Sequence, residues 1–510
     1  MLTRLLLSKR NIISVKNSSI WTRTLSSVAK RNIIVTASNL QSIREKGGVY
    51  VDKTELLYAL VAAEGDNFHF IARPRRFGKS LMCSTINHLF SGNTALFNGL
   101  WISDKWDFEK EKSPVIHLDM SRVGEANITI EVFNEKIFNQ LRKQAKQHKV
   151  EIDGNEHNNV MCFENLIQDI SNKYNKPVVV IIDEYDKPIL DLVESPKVCK
   201  DVQEKLRSFY GVLKSEQNYL RFLFITGAYK FSHTALFSSL NNLKDLTFNR
   251  KYGTLFGYTE KEVMDNFKPE IEKLGKELGT KNNAETMEIL KKKYNGYRFG
   301  VNVNNGELSE SVFNPFGLGH VFQDTELLKK WYGSGTPTFL MKKMSEQGNF
   351  IPLSSSQSLD FSTLENSCTP DNLDPVSLLY YAGYATISSY DAVTEAITLI
   401  RPNEEVSSIL DKDFLRYFYK GDSSQMIKLC KKVTDCFKKG IENDDEVLKY
   451  LLNQVYANAS YEHLKMNEGN FVSLTEFVFK VGGLGSTNVR VEEQTNIGRI
   501  DMVMQLFDKI

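Results

Sequence analysis

The stretch Arg73-Pro74-Arg75-Arg76-Phe77-Gly78-Lys79-Ser80-Leu81 decides how this 510-residue chain is read. It follows the short apolar run Phe68-His69-Phe70-Ile71-Ala72 and leads into the helix-compatible segment Leu81-Met82-Cys83-Ser84-Thr85-Ile86-Asn87-His88-Leu89-Phe90. Strand, glycine-containing turn and helix is a phosphate-binding arrangement, because the unpaired N–H groups of a helix N-terminus carry partial positive charge and point outward. Gly78 lets backbone approach a polyphosphate, Lys79 has the reach for β- and γ-phosphates, and the Ser80 hydroxyl is a magnesium ligand. Arg73 stands where the pattern G-x-x-x-x-G-K-[ST] has its first glycine. Arg73, Arg75 and Arg76 instead supply guanidinium groups suited to bidentate phosphate contacts. The competing reading is a basic surface turn before an ordinary helix.

A second stretch points the same way. Val178-Val179-Val180-Ile181-Ile182 is a continuous β-branched run of the kind that forms a strand buried on both faces. It ends in Asp183-Glu184-Tyr185-Asp186, and carboxylates at the C-terminal end of such a strand lie where open α/β sheets bind ligands. Asp183 is expected to hold the water shell of a phosphate-bound magnesium and Glu184 to polarise an attacking water. An acidic turn capping the next helix is the alternative.

The segments YVDKTELL (50–57), RPRRFGKS (73–80), VVVIIDEYDKP (178–188), FITGAYKFS (224–232), NNLKDLT (241–247), KYNGYRFG (293–300), VFNPFGLG (312–319) and SGTPTFL (334–340) together resemble the AAA-ATPase-like family, from about Asn39 to the end. Members commonly carry a C-terminal PD-(D/E)XK nuclease-like domain. The resemblance implies a P-loop ATPase in which an arginine at the first-glycine position is usual. It also makes Thr226 a candidate γ-phosphate sensor, with Lys230 a second, and Arg250 a candidate arginine finger. Tyr229 departs from the small polar residue that similar proteins have there.

Composition fits a globular protein of two or three cored domains, with 41% hydrophobic and 25% charged residues. No apolar run approaches the roughly 18 residues needed to span a bilayer. Neither the six cysteines nor the eight histidines show metal-ligand spacing, so the sequence predicts no zinc site and reduced, buried cysteines. Residues 1–44 contain eight basic residues, many Ser and Thr, and no acid before Glu45. Such a segment describes a mitochondrial transit peptide, with Arg23-Thr24-Leu25-Ser26-Ser27 as a processing site cleaved after Leu25. A disordered basic tail of a cytoplasmic or nuclear protein is the other reading. Of 64 basic and 63 acidic residues overall, removing those eight leaves 56 against 63, a net charge of −7 for residues 45–510. Bulk electrostatics therefore do not favour nucleic acid, and a local basic groove stays open.

Alternating patterns predict strands at 68–72, 114–120, 178–182 and 221–226 and helices at 128–146 and 202–215, a three-layer α/β sheet over 39–256. Residues 257–353 read as a helical lid in which Tyr297 and Arg298 either stack on adenine or belong to the core. The Ser/Asn/Asp-rich stretch 354–374 reads as a linker, and 375–510 as a smaller α+β region with a hairpin at 384–387 and 397–400. By resemblance, Glu468 and Asp501 match the first two acidic positions of the nuclease-like domain. Its E-x-K motif is not found in the nine residues after Asp501, so the domain reads as incomplete and unable to cut nucleic acid by itself.

The whole reads as an ATP- and magnesium-binding P-loop ATPase whose hydrolysis drives a conformational switch towards a protein partner the sequence does not identify. The rivals are a nucleotide-binding interaction module without turnover and an ATPase-linked nuclease acting on nucleic acid.

Overall fold

The fold was analysed in a computed structural model, which describes residues 32–35, 37–62, 67–125, 128–230, 236–237, 240–327, 357–365, 374–418, 423–438, 445–457, 468–484, 489–495 and 498–504. Its centre is a five-stranded parallel sheet of order β2-β3-β4-β1-β5, with β1 Phe68–Ala72, β2 Val115–Asp119, β3 Val178–Asp183, β4 Leu220–Gly227 and the short β5 Lys244–Asp245. All six residues of β3 and all five of β1 are buried, which requires cover on both faces and explains why both are apolar but for His69 and Asp183. Helices α1 (Lys79–Phe90), α2 (Ile130–His148), α3 (Asn159–Tyr174) and α4 (Pro196–Ser215) provide that cover. The α/β, P-loop NTPase-like architecture expected from the sequence is thus the one observed.

The chain then leaves the sheet for α5 (Glu260–Asn266), α6 (Lys268–Leu278), α7 (Asn283–Tyr294) and α8 (Pro315–Asp324). Thr259 opens α5 with a reciprocal capping box to Glu262. These helices enclose a hydrophobic cluster of their own, including Val263, Phe267, Ile271, Leu290, Leu318 and Phe322, separate from the cluster beneath the sheet. A body with its own core can shift as a unit relative to the sheet.

Residues 357–400 depart from the expected linker-then-hairpin arrangement. Gln357–Asp360 forms β6, which pairs antiparallel with β8 (Ala396–Ile400) beside β7 (Thr386–Asp391) in a three-stranded sheet. Part of the stretch read as linker is therefore structure, and Phe361 and Tyr380 pack on Phe248 at 5.1 and 5.7 Å. Tyr229 lies 6.3 Å from Tyr381, so the unusual tyrosine after β4 belongs to the same junction. Further on come α9 (Glu404–Phe418), α10 (Ser423–Lys438), α11 (Asp445–Ala457), α12 (Glu468–Phe479) and the antiparallel pair β9 (Val489–Thr495) and β10 (Gly498–Met504). Glu468 is the first residue of α12 and Asp501 lies in β10; their side chains fall outside the described residues. The motif SGTPTFL and the N-terminal segment 1–31 also fall outside them.

Candidate functional site

The loop between β1 and α1 turns through two left-handed residues, Arg76 (φ 71°) and Gly78 (φ 96°), so that α1 begins at Lys79. Apart from its chain neighbours, no atom lies within 4 Å of where a Cβ on Gly78 would be, which leaves room for a ligand against bare backbone. Lys79 is 4% exposed, and its ammonium donates to the carbonyls of Arg73 (3.0 Å) and Pro74 (3.2 Å), curling back over the loop. Burial holds it below the ordinary lysine value, opposed by nearby Glu184, Asp183 and Asp186.

β3 delivers the acidic group. Asp183 is 4% exposed, and burial pushes its carboxyl up to about 6 although the Ser80 hydroxyl hydrogen-bonds to it. Its Oδ1 has no hydrogen-bond partner, an orphaned acceptor beside the Ser80 hydroxyl. That donor set, a serine hydroxyl and a carboxylate with a free oxygen, suits the oxygen preference of magnesium. Glu184 adopts a left-handed backbone (φ 51°), which turns it out of the strand into the cavity containing Lys79 and Ser80. Asp186 does different work. It is buried, accepts from the N–H groups of Ala228 and Tyr229 (3.1 and 2.7 Å), and is pushed up to about 6 by burial.

The cavity has a volume of about 360 Å³. Arg76, Gly78, Lys79, Ser80 and Glu184 form its polar end. Its apolar end combines Ile33 and Val35 ahead of the sheet, Tyr50 and Val51, Phe256 and Tyr258 after β5, and Phe267 and Phe316 of the lid. A polar end suited to phosphates and an apolar slot between two bodies suit a nucleotide. None of the apolar lining was identified from sequence. The one local signal was the recurrence of YVDKTELL and VFNPFGLG among the family-like segments. The Arg76 guanidinium lies 3.9 Å from the centre of the Phe316 ring, joining the loop to the lid. Lys53 also lines the cavity and ties the lid down, donating to Glu262 (2.6 Å) and to the carbonyl of Thr254 (2.8 Å).

Four residues expected at the nucleotide, Arg73, Thr226, Lys230 and Arg250, are elsewhere. Arg73 is fully buried, and its guanidinium donates to the carbonyls of Ala72 (2.8 Å), Thr247 (2.6 Å) and Tyr252 (3.2 Å), with the Phe299 ring 4.7 Å away. It is a strut beneath the loop rather than a phosphate contact, because both terminal nitrogens of its guanidinium are turned to backbone acceptors. Burial lowers it to about 10, so it is still a cation at neutral pH. Thr226 is likewise buried, and its hydroxyl donates to the carbonyl of Ile71 at 2.7 Å, locking β4 to β1. Lys230 pairs with Asp245 (2.7 Å) and Arg250 with Glu307, both away from the cavity lining. Tyr297 is core, packed on Phe77 at 4.8 Å, and Arg298 does not line the cavity. The motifs NNLKDLT and KYNGYRFG thus build the socket for Arg73 and Phe77 and do not line the cavity.

Among the described residues, no helix is long and apolar enough to cross a membrane. A model of the AAA-ATPase-like family, described as predicted AAA-ATPase, matches residues 35–237, which contain the loop, β3 and the Asp-Glu pair. The chain is also 30% identical over 485 residues to a protein of Azotobacter chroococcum mcd 1 described as "Uncharacterized protein in vnfD 5'region", an alignment covering 94% of this chain and 87% of the relative. With the loop, the acidic strand end and the cavity beside them, residues 35–237 of this chain belong to the AAA-ATPase-like family.

Proposed function

We propose that the chain binds ATP with magnesium in this cavity and hydrolyses it, and that hydrolysis alters the seating of the lid on the sheet. The observation that carries the reading is the convergence of Lys79, Ser80 and Glu184 with lid residues Phe267 and Phe316 on one cavity. The N-terminus of α1 and the Lys79 ammonium bind the phosphates, the ammonium exchanging loop carbonyls for phosphate oxygens. Ser80 and Asp183 hold magnesium, which offsets the phosphate charge. Glu184, turned into the cavity by its left-handed backbone, orients and polarises the attacking water. Arg76, stacked on Phe316, carries a change at the phosphates to the lid.

The test has two arms. Lys79→Ala removes a charged hydrogen-bonding group worth about 1.5–3 kcal/mol and should weaken ATP binding roughly 10- to 150-fold. Calorimetry giving an unchanged affinity refutes the assignment. Glu184→Gln should keep binding and lose turnover. Undetectable phosphate release in wild type would instead favour the interaction module that holds nucleotide without consuming it.

For the C-terminal region we propose a PD-(D/E)XK-like arrangement, supported by the order α12, β9, β10 with Glu468 opening α12 and Asp501 on β10. Two carboxylates alone do not complete a phosphodiesterase metal site. Incubation with DNA or RNA and magnesium or manganese is the test: cutting that Asp501→Ala abolishes would give the arrangement a catalytic role, and cutting that it leaves unchanged would remove Asp501 from it.

A further inference from the structure

Three side chains from three elements meet behind the phosphate loop: Cys83 of α1, His117 of β2 and Asp183 at the end of β3. The thiol, an imidazole nitrogen and a carboxylate oxygen all lie within 4.8 Å of one another. The fold makes this meeting inevitable. Cys83 follows Lys79 by one helical turn and so faces the same way. His117 pairs with Ile181 and Asp119 with Asp183, so His117 and Asp183 stand on one face of neighbouring strands, two residues out of step. Cys83 and Asp183 are buried, while His117 is partly exposed on the edge strand.

Two atoms of this group want a partner. His117 Nε2 and Asp183 Oδ1 are both buried without a hydrogen bond, and each such atom costs about 1–3 kcal/mol in a folded protein. Three potential ligands with two orphaned polar atoms describe a binding site better than a packing fault. The chemistry selects the ligand. A thiol and an imidazole disfavour magnesium, which takes oxygen at octahedral positions, and favour zinc, which takes sulfur, nitrogen and carboxylate oxygen at tetrahedral ones. Bonds of about 2.0–2.3 Å place tetrahedral zinc ligands roughly 3.5 Å apart, so the three groups need to close by only about 1 Å. Water completes the fourth position. As the S–Zn bond forms, the Cys83 thiol releases its proton to solvent. Thiolate and carboxylate then balance the two positive charges, leaving a neutral cluster in a buried place.

We propose that Cys83, His117 and Asp183 form a site for a zinc-class divalent ion, and that occupying it inhibits the ATPase. The inhibitory half rests on the function proposed above: zinc engages the carboxylate that, together with Ser80, holds magnesium. The sequence predicted no zinc site, because residues 83, 117 and 183 have no motif spacing.

The experiment uses the full chain, first without nucleotide. Calorimetric titration with zinc sulfate should give one site per chain, weakened at least about 100-fold in Cys83→Ala and in His117→Ala, since even outer-shell changes cost about 10- to 100-fold. Cobalt(II) should give a sulfur-to-cobalt charge-transfer band that Cys83→Ala lacks, while thermal melting verifies that the variant is folded. Zinc should then suppress phosphate release by wild type at saturating magnesium and ATP, whereas Cys83→Ala keeps the basal rate and is insensitive. Equal zinc affinity in wild type and Cys83→Ala, or no sulfur-to-cobalt band in wild type, overturns the site. Zinc bound with undiminished hydrolysis overturns the inhibition. If wild type hydrolyses nothing, the proposed function fails while the titration and the cobalt band still decide the site.

Discussion

Replacing Arg73 by glycine separates the two ways of understanding the phosphate loop. By motif logic Arg73→Gly restores the ordinary pattern and should be harmless or helpful. By the structure it removes the guanidinium that donates to the carbonyls of Thr247 and Tyr252 at 2.6 and 3.2 Å and stacks near Phe299. Hydrogen bonds to charged groups contribute about 1.5–3 kcal/mol each, and a desolvated cation–π contact adds about 2. Against these stands the cost of burying the charge, several kcal/mol, which disappears with it. The Thr247 carbonyl loses this donor and the Tyr252 carbonyl keeps only the N–H of Leu255, around a side-chain-sized void, so the net loss is about 3–5 kcal/mol. At roughly 2–4 °C per kcal/mol for a domain of this size, the melting temperature should fall by about 6–20 °C. Calorimetry at low temperature on the folded variant should meanwhile find ATP affinity within about threefold of wild type, a difference under 1 kcal/mol. An unchanged melting temperature with affinity reduced tenfold or more would refute the strut and return Arg73 to the phosphates.

Asp183→Asn should stabilise the protein at pH 7.5. Its carboxyl is raised from 3.8 to about 6, so its stabilising contribution is present below 3.8 and lost as pH rises through about 6. That difference corresponds to about 3 kcal/mol, so denaturation midpoints of wild type and variant should nearly coincide close to pH 4, separate as pH rises to about 6 and stay apart above it. A gain that persists undiminished at pH 4 would contradict this cause. Gly227→Ala would place a Cβ 2.3 Å from Asp186 Oδ1 and 2.6 Å from the Tyr185 ring, so a loss of about 1–3 kcal/mol is expected by chemical denaturation. A silent substitution there would mean that the β3 and β4 ends are looser than described. A fluorescent reporter carrying residues 1–44 is expected in mitochondria with the segment removed; diffuse, uncleaved fusion protein would reject the transit-peptide proposal.

What the sequence determined by itself lies within short windows. The Val/Ile run of β3, the glycine-lysine-serine turn into α1 and the Asp-Glu pair were legible because backbone periodicity and phosphate chemistry are set by neighbouring residues. That strands at 68–72, 114–120, 178–182 and 221–226 join one helix-flanked α/β sheet followed from the same alternation, but their order β2-β3-β4-β1-β5 did not. The role of each charged residue did not follow. Arg73 and Lys79 look equally suited to phosphate in the sequence, but only the fold brings Thr247 and Tyr252, 174 and 179 residues away, to occupy the Arg73 guanidinium. Lys53 meets Glu262 across 209 residues, and β6, inside the stretch that reads as linker, finds β8. Cys83, His117 and Asp183 share no spacing at all. A side chain's chemistry is fixed by what surrounds it, and burial, orphaned atoms and long-range partners are set by how the chain closes on itself, which no local pattern contains.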